Sequence, residues 1–408
     1  MKTIELASLR PVLEAVPANP RVLVSGNFAT PYQVLAEIDR HLPTYRLHML
    51  NAHGDIPTRE GVIHETSFVG PAMRGSADLA YFPARLSMVP RLVRTHTRPD
   101  IVLIHTSSPR NGYVSLGTEV NILPAAIESV RRHGGIVIAA ANSRMPYTFG
   151  DAEIPVEDID YLVSVDAPLL SPEVTAPSET AMVIGQRIAS HIGDGSTLQM
   201  GIGDIPNAVL ASMLERKELH IWTEMFSDGV LRLSQAGALD MHVHLTASFV
   251  FGSQELYEWL HLNSQVRMMR TEVTNNSGRI SQRPQMMSIN AALQVDLYDQ
   301  ANASRVAGRI YSGFGGSTDF IVGAINSHRG LAFMALPSWH AKSGSSTIVP
   351  LLDQPVTSFQ HSYVVTEQGE AHCAGASQAQ QAANLIEQAA HPDARESLRE
   401  AAARMGLR

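Results

Sequence analysis

One cysteine in 408 residues, Cys373, excludes an internal disulfide and a cysteine-built zinc site. That usage suits a reducing compartment, and a cytoplasmic location is expected. Positive charge is also scarce: 31 Lys and Arg stand against 39 Asp and Glu, for a net charge of −8 with no basic block. A surface that tracks phosphates along a strand is not expected, so nucleic acid is set aside as a partner. No apolar run approaches the roughly 18 residues of a membrane helix. The opening Met1-Lys2-Thr3-Ile4-Glu5 has no apolar core of a signal peptide, so neither export nor a membrane span is expected. The chain has no phosphate-loop lysine motif, no Gly-x-Ser-x-Gly elbow and no His-Glu-x-x-His. His242 and His244 alternate as on a strand face, but no third ligand accompanies them, and no metal is expected.

What is present describes a folded protein of two or three domains, with 44% hydrophobic and 17% charged residues. Ile101-Val102-Leu103-Ile104-His105 and Ile136-Val137-Ile138-Ala139 are continuous apolar runs, as expected of parallel strands covered on both faces. Between them, residues 127–132 read as helix stopped by Gly134-Gly135. Strands alternating with helices predict an open α/β sheet. A stretch rich in Pro, Ser and Thr, residues 171–178, marks the expected boundary, giving domains 1–175 and 176–408. Across it a pattern recurs. At an offset of 175 residues, Gly201 falls on Gly26, Pro206 on Pro31, and Val209-Leu210-Ala211 on Val34-Leu35-Ala36. A shared strand–glycine turn–Pro–helix unit predicts two related halves.

Four stretches offer chemistry. In Trp222-Thr223-Glu224-Met225-Phe226, one carboxylate sits at a strand end among apolar side chains. Desolvation there would raise its pKa and sharpen it as a nucleophile; a strand-ending cap is the plainer alternative. Gly201-Ile202-Gly203 opens like a dinucleotide fingerprint, but Ile205 or Pro206 stands where the third glycine belongs, and no nicotinamide cofactor is expected. Such a turn still aims backbone N–H groups at an anion, or is simply tight. Tyr311-Ser312-Gly313-Phe314-Gly315-Gly316 carries three glycines in four positions, enough to form an oxyanion concavity or a structural bulge. Asn290 ends an apolar run where its amide could join that oxyanion site. Glu367-Gln368-Gly369 repeats the form of Glu224, and Lys342 could meet a phosphate or be merely solvated.

Together these pieces resemble the acetyl-CoA hydrolase/transferase family, the branch of the family I CoA-transferases that contains 4-hydroxybutyrate CoA-transferase. The resemblance runs through Gly70-Pro71, Ala80-Tyr81-Phe82-Pro83, Ser108-Pro109 with Asn111-Gly112, and Met145-Pro146. It continues in Asp194-Gly195-Ser196-Thr197-Leu198-Gln199, Thr223-Glu224-Met225 with Ser227-Asp228-Gly229, and Ser288-Ile289-Asn290. Ser312-Gly313 with Gly315-Gly316, and Val364-Val365-Thr366-Glu367, complete it.

The resemblance implies two similar open-sheet α/β domains with the active site at their interface. It implies that Glu224 is the covalent nucleophile and that Asn290 and Gly315 serve the oxyanion. Gly201, Ile202, Gly203, Asp204, Ile205, Gly313 and Lys342 would line the coenzyme A site, with Gln199, Phe314 and Glu367 in support. Coenzyme A is then a co-substrate, the other partners are an acyl-CoA and a small carboxylic acid, and a homodimer is expected. The activity implied is CoA transfer to a short acid from an acetyl-, butyryl- or 4-hydroxybutyryl-type donor, by ping-pong catalysis through a glutamyl-CoA thioester. Acyl-CoA hydrolysis, or acyl-CoA binding without catalysis, are the alternatives. Three stretches depart from the family pattern: the first twenty residues, Ser281-Gln282-Arg283-Pro284-Gln285, and Cys373 to Ala379, where many relatives carry arginines. They bear on the acyl substrate more than on the nucleophile.

Overall fold

The structure, a computed structural model, describes residues 1–172, 176–354, 356 and 360–407. Thr175, on which the expected domain boundary falls, lies outside the described residues. The chain forms two compact units. The first comprises Met1–Glu173, Leu245–Thr274 and Tyr311–Gly315; the second comprises Val174–His244, Asn275–Ile310 and Gly316–Arg408.

In the first unit, eight strands form one sheet: β1 (Lys2–Thr3), β2 (Arg21–Val24), β3 (Tyr45–His48), β4 (Val62–Thr66), β5 (Leu79–Tyr81), β6 (Ile101–Thr106), β7 (Ile136–Asn142) and β8 (Tyr161–Val165). Their order is β1-β8-β7-β6-β2-β3-β4-β5, and every pair is parallel. All six residues of β6 are buried, which is why that strand reads as unbroken apolar sequence. Helix α1 (Tyr32–His41) follows β2, and α2 (Leu123–His133) joins β6 to β7 and stops at Gly134 in the left-handed region. The returning segments are tied in locally. Thr271 donates its hydroxyl to Asn121 at 2.6 Å, while Val69 N–H reaches Ser312 O at 2.7 Å and Leu86 N–H reaches Gly315 O at 2.8 Å.

The second unit is built on β9 (Thr197–Met200), β10 (His220–Ile221), β11 (Met286–Ala291), β12 (Leu331–Ala335), β13 (Tyr363–Val365) and β14 (Glu370–His372), in the order β10-β9-β11-β12-β13-β14. Five strands are parallel and only the edge strand β14 is antiparallel. Helix α3 (Glu179–Ser190) is capped by Ser178, whose hydroxyl accepts from Ala181 N–H. Helix α4 (Asp204–Ala211) follows β9 as α1 follows β2, so each unit contains the strand–turn–helix element that the repeat predicts. Their proline positions differ: Pro31 caps α1, whereas Pro206 lies inside the first turn of α4. In this sheet the chain leaves β9 for β10 on one side and then crosses to β11 on the other. In open α/β sheets such a reversal marks the strand ends where ligands bind, here the carboxyl ends of β9 and β11. Among the described residues no helix is long and apolar enough to cross a membrane.

One buried charge cluster anchors the first sheet. Glu65 on β4 is 1% exposed and accepts from Arg21 Nε and, at 3.0 Å, from Arg21 Nη2, with His48 Nδ1 at 3.5 Å. Burial alone would raise its pKa, but the bonds and charges of His48 and Arg21 bring it down to about 2. Removing one partner of such a pair strands the other, at a cost of about 3–5 kcal/mol. Glu65→Gln is expected to lose about that much in urea unfolding at neutral pH. Because the folded carboxyl has the lower pKa, the deficit should shrink as pH falls from 4.5 towards about 2. A neutral effect at pH 7 would contradict this reading.

Candidate active site

Three of the singled-out residues stand at the carboxyl edge of the second sheet. Leu198 pairs with Ile221 and Met200 with Ile289. Carried on by counting, that register puts Gly201, Glu224 and Asn290 in one row. Thr223 fixes the approach to Glu224: its hydroxyl donates to Met200 O at 3.1 Å and accepts from Met200 N–H at 3.3 Å. Trp222, Met225 and Phe226 are all buried, so the chain on either side of Glu224 is held by apolar packing.

The carboxylate of Glu224 is partly buried and tightly placed. Its Oε2 accepts from Asn275 Nδ2 at 2.8 Å, and Asn275 is itself fully buried. A Cβ added to Gly316 would lie 1.8 Å from that oxygen and 2.3 Å from Asn275 Nδ2. Gly316 has φ −98, an ordinary value, so only the missing side chain requires glycine there. Gly316 is the N-cap of α5 (Ser317–Ile325), and the first turn of that helix carries the buried Asp319. Loss of hydration pushes the Glu224 carboxyl up to about 7; the Asn275 bond opposes that rise and the negative charge of Asp319 adds to it. Near neutral pH the group divides between its protonated and its ionised form.

The other expected site residues are placed as follows. Gln199 is buried on β9, where its Oε1 accepts from Ser288 Oγ at 2.8 Å and from Asn290 Nδ2 at 3.4 Å. Asn290 Nδ2 also donates to Ser288 Oγ at 2.9 Å, so its amide already has partners, the Gln199 bond being the longer. Gly203 has φ +121, which requires glycine, and Cβ atoms built on Gly201 and Gly203 would meet nothing within 4 Å. Ile202 is exposed, and Ile205 packs into the core. The Asp204 carboxylate accepts from the Ser178 N–H and hydroxyl, joining the starts of α3 and α4.

Gly313 and Gly315 belong to the first unit, where Cβ atoms would meet Ser67 O at 2.7 Å and Phe68 Cε2 at 3.2 Å respectively. Phe314 lies between them, partly buried. Glu367 is committed to Ser338, accepting from its N–H at 2.8 Å and from its hydroxyl. Lys342 is exposed in the turn between Trp339–His340 and Ser345–Ser346. His242 and His244 occupy an exposed loop, not the strand face that their alternation predicts, because the strand begins only at Leu245. Sequence reasoning missed Asn275 and Asp319. The Asn275-Asn276 pair is a turn signal, but nothing local tells that one of the two reaches a carboxylate 51 positions earlier.

A carboxyl with its folded pKa above 4.5 loses stability to ionisation as pH rises towards about 7. Glu224→Gln keeps the acceptor for Asn275 and removes the charge. It is expected to unfold at higher urea than the parent at pH 8, by on the order of 3 kcal/mol, and to match it below pH 4.5. Equal stability at pH 8 would mean that the carboxylate is well solvated.

Comparison with known proteins bears on this geometry. Residues 62–171 match the model of the acetyl-CoA hydrolase/transferase N-terminal domain, and residues 252–402 match that of the C-terminal domain. The chain is 38% identical to the 4-hydroxybutyrate coenzyme A transferase of Clostridium kluyveri, over 88% of this chain and 87% of the relative. It is 36% identical to the succinyl-CoA:acetate/propanoyl-CoA:succinate CoA transferase of Fasciola hepatica, over 93% and 84%. Its fold superposes on the crystal structure of RipA from Yersinia pestis with a TM-score of 0.92 at 28% identity, covering 100% and 98% of the two chains. The chain belongs to the acetyl-CoA hydrolase/transferase family.

Proposed function

We propose that this protein is a CoA-transferase that carries coenzyme A on Glu224 from an acyl-CoA to a short carboxylic acid. The observation that carries the reading is the Glu224 carboxyl itself, raised to about 7, bound through one oxygen and pressed against a glycine. The relatives named above, both CoA transferases, support the same class of reaction. Ionised Glu224 attacks the acyl-CoA carbonyl and expels the thiolate, leaving a mixed anhydride. The thiolate then attacks the glutamyl carbonyl and releases the first acid, and coenzyme A remains as a thioester. An acceptor carboxylate reverses both steps. A side-chain carboxylate suits this role because it is acyl-transferable and can hold coenzyme A between half-reactions.

Asn290 is assigned to the acyl oxyanion; its long bond to Gln199 is the one it can redirect at least cost. The open turn from Gly201 to Ile205 and Lys342 are assigned to coenzyme A, whose remote portion can position the reacting centre. Acetyl, butyryl and 4-hydroxybutyryl groups are the donors to try first.

Incubation with an acyl-CoA followed by borohydride should reduce Glu224 to its alcohol, seen by mass spectrometry of its peptide. An unmodified Glu224 in enzyme that turns over would sink the proposal. With acceptor present, acid-to-acid exchange should exceed thioester hydrolysis; the reverse would make the protein a hydrolase. Transfer should also rise with pH through about 7 as Glu224 ionises. Asp319→Asn, by removing a repelling charge, should move that limb to lower pH; an unmoved limb would assign it to another group.

A further inference from the structure

The stretch Ser281-Gln282-Arg283-Pro284-Gln285, one of the three that depart from the family pattern, has no role in the chemistry assigned above. It is tied firmly into the second unit. Ser327 donates its hydroxyl to Arg283 O at 2.7 Å, Thr197 donates its hydroxyl to Pro284 O at 2.9 Å, and Gln285 N–H reaches His328 O at 3.1 Å. From this frame the Arg283 guanidinium lies over the ring of Trp222, 4.3 Å from its centroid. Arg279 stands four residues earlier, exposed, in the short helix Ser277–Ile280. Burial, and then the charge of Arg279, draw the Arg283 pKa below its ordinary value. Arg283 Nε donates to Arg279 O at 3.4 Å, and among the described residues neither guanidinium has a carboxylate partner. His328 and Arg329, both exposed, follow Ser327 on the adjoining loop.

Two arginines close together without an acid stand out in a chain of net charge −8. The indole face offsets part of the dehydration of Arg283, but it does nothing against the repulsion from Arg279. A bound dianion would offset both. We propose that Arg279 and Arg283 form a binding site for a phosphate monoester, with Trp222 as the platform that fixes Arg283. The inference concerns binding alone and stands whether or not Glu224 carries coenzyme A. A phosphate monoester near neutral pH carries nearly two negative charges and three strong acceptor oxygens, enough to engage both guanidiniums. A carboxylate carries one charge and is satisfied by a single planar fork. Stacking on a ring also holds the Arg283 fork in one orientation, so little freedom is lost when the anion arrives. Trp222 is only 8% exposed, which makes the arginine, and not the indole, the surface a ligand meets. Two sources present this group: the 3′-phosphate of coenzyme A, and a separate phosphorylated small molecule.

Calorimetric titration of the intact protein with inorganic phosphate, coenzyme A and dephospho-coenzyme A tests the site. Binding of inorganic phosphate, of coenzyme A or of both should weaken about tenfold in Arg279→Gln and in Arg283→Gln. Losses for coenzyme A but not for dephospho-coenzyme A would make the phosphate the coenzyme's own. Losses for inorganic phosphate alone would make it that of a separate ligand. Equal losses for coenzyme A and its dephospho form would assign the arginines to the diphosphate and overturn the inference. So would affinities that neither substitution changes, or the absence of any saturable binding. Should Arg283→Gln not fold, Arg279→Gln decides alone, because no hydrogen bond or ion pair among the described residues holds the Arg279 side chain. With Trp259→Phe and Trp339→Phe in place, Trp222 is the remaining one of the three tryptophans. Its emission should then change with the same midpoint as the heat; an unchanged emission would place the anion elsewhere and overturn the inference.

Discussion

A carboxyl group held against a glycine, in a place where water is scarce, is the constraint on which the second unit turns. Every feature around Glu224 either dehydrates it or limits how it moves. Trp222, Met225 and Phe226 hold the chain on either side, Thr223 pins its approach to β9, and Gly316 leaves space where any side chain would collide with Oε2. Asn275 compensates part of the dehydration and Asp319 works against it. The balance leaves the group near the middle of the physiological range instead of at an ordinary carboxylate value. A fold that sought stability alone would put a neutral side chain here.

The parallel sheet explains why such a group sits where it does. Parallel strands end on one edge, and the reversal of direction between β9 and β11 opens that edge between residues far apart in sequence. Gln199, Ser288 and Asn290 share one hydrogen-bonded cluster there, on adjacent strands. Rigid strands therefore set the spacing, while turns after them supply the backbone groups free to meet a ligand. The open space over Gly201 and Gly203 contrasts with the packed surroundings of Gly316, so glycine serves two opposite purposes within one unit.

Much of this was legible before any coordinates. Unbroken apolar runs at 101–105 and 136–139 signalled covered parallel strands, and both are β-strands buried along nearly their whole length. The glycine–proline repeat foresaw the strand–turn–helix element in each unit. What escaped had no local pattern. Asn275 and Asp319 reach Glu224 from 51 and 95 positions away, and the returns of residues 245–274 and 311–315 to the first unit depend on tertiary packing. Gly316 was noticed for backbone freedom, which it does not use; its reason is steric, and sequence cannot display a collision. Asp204 stood out beside the glycine turn, although its carboxylate serves Ser178.

The account depends on how strongly the protein holds a proton on one glutamate. Isotope-edited infrared titration of the unliganded enzyme, with labelled glutamate and Glu224→Gln subtracted, reads that ionisation directly. The structure predicts a carboxylate band for Glu224 that grows in with a midpoint near 7. A midpoint at the ordinary value of 4.5 would show a well-hydrated carboxylate, and the central claim would fall.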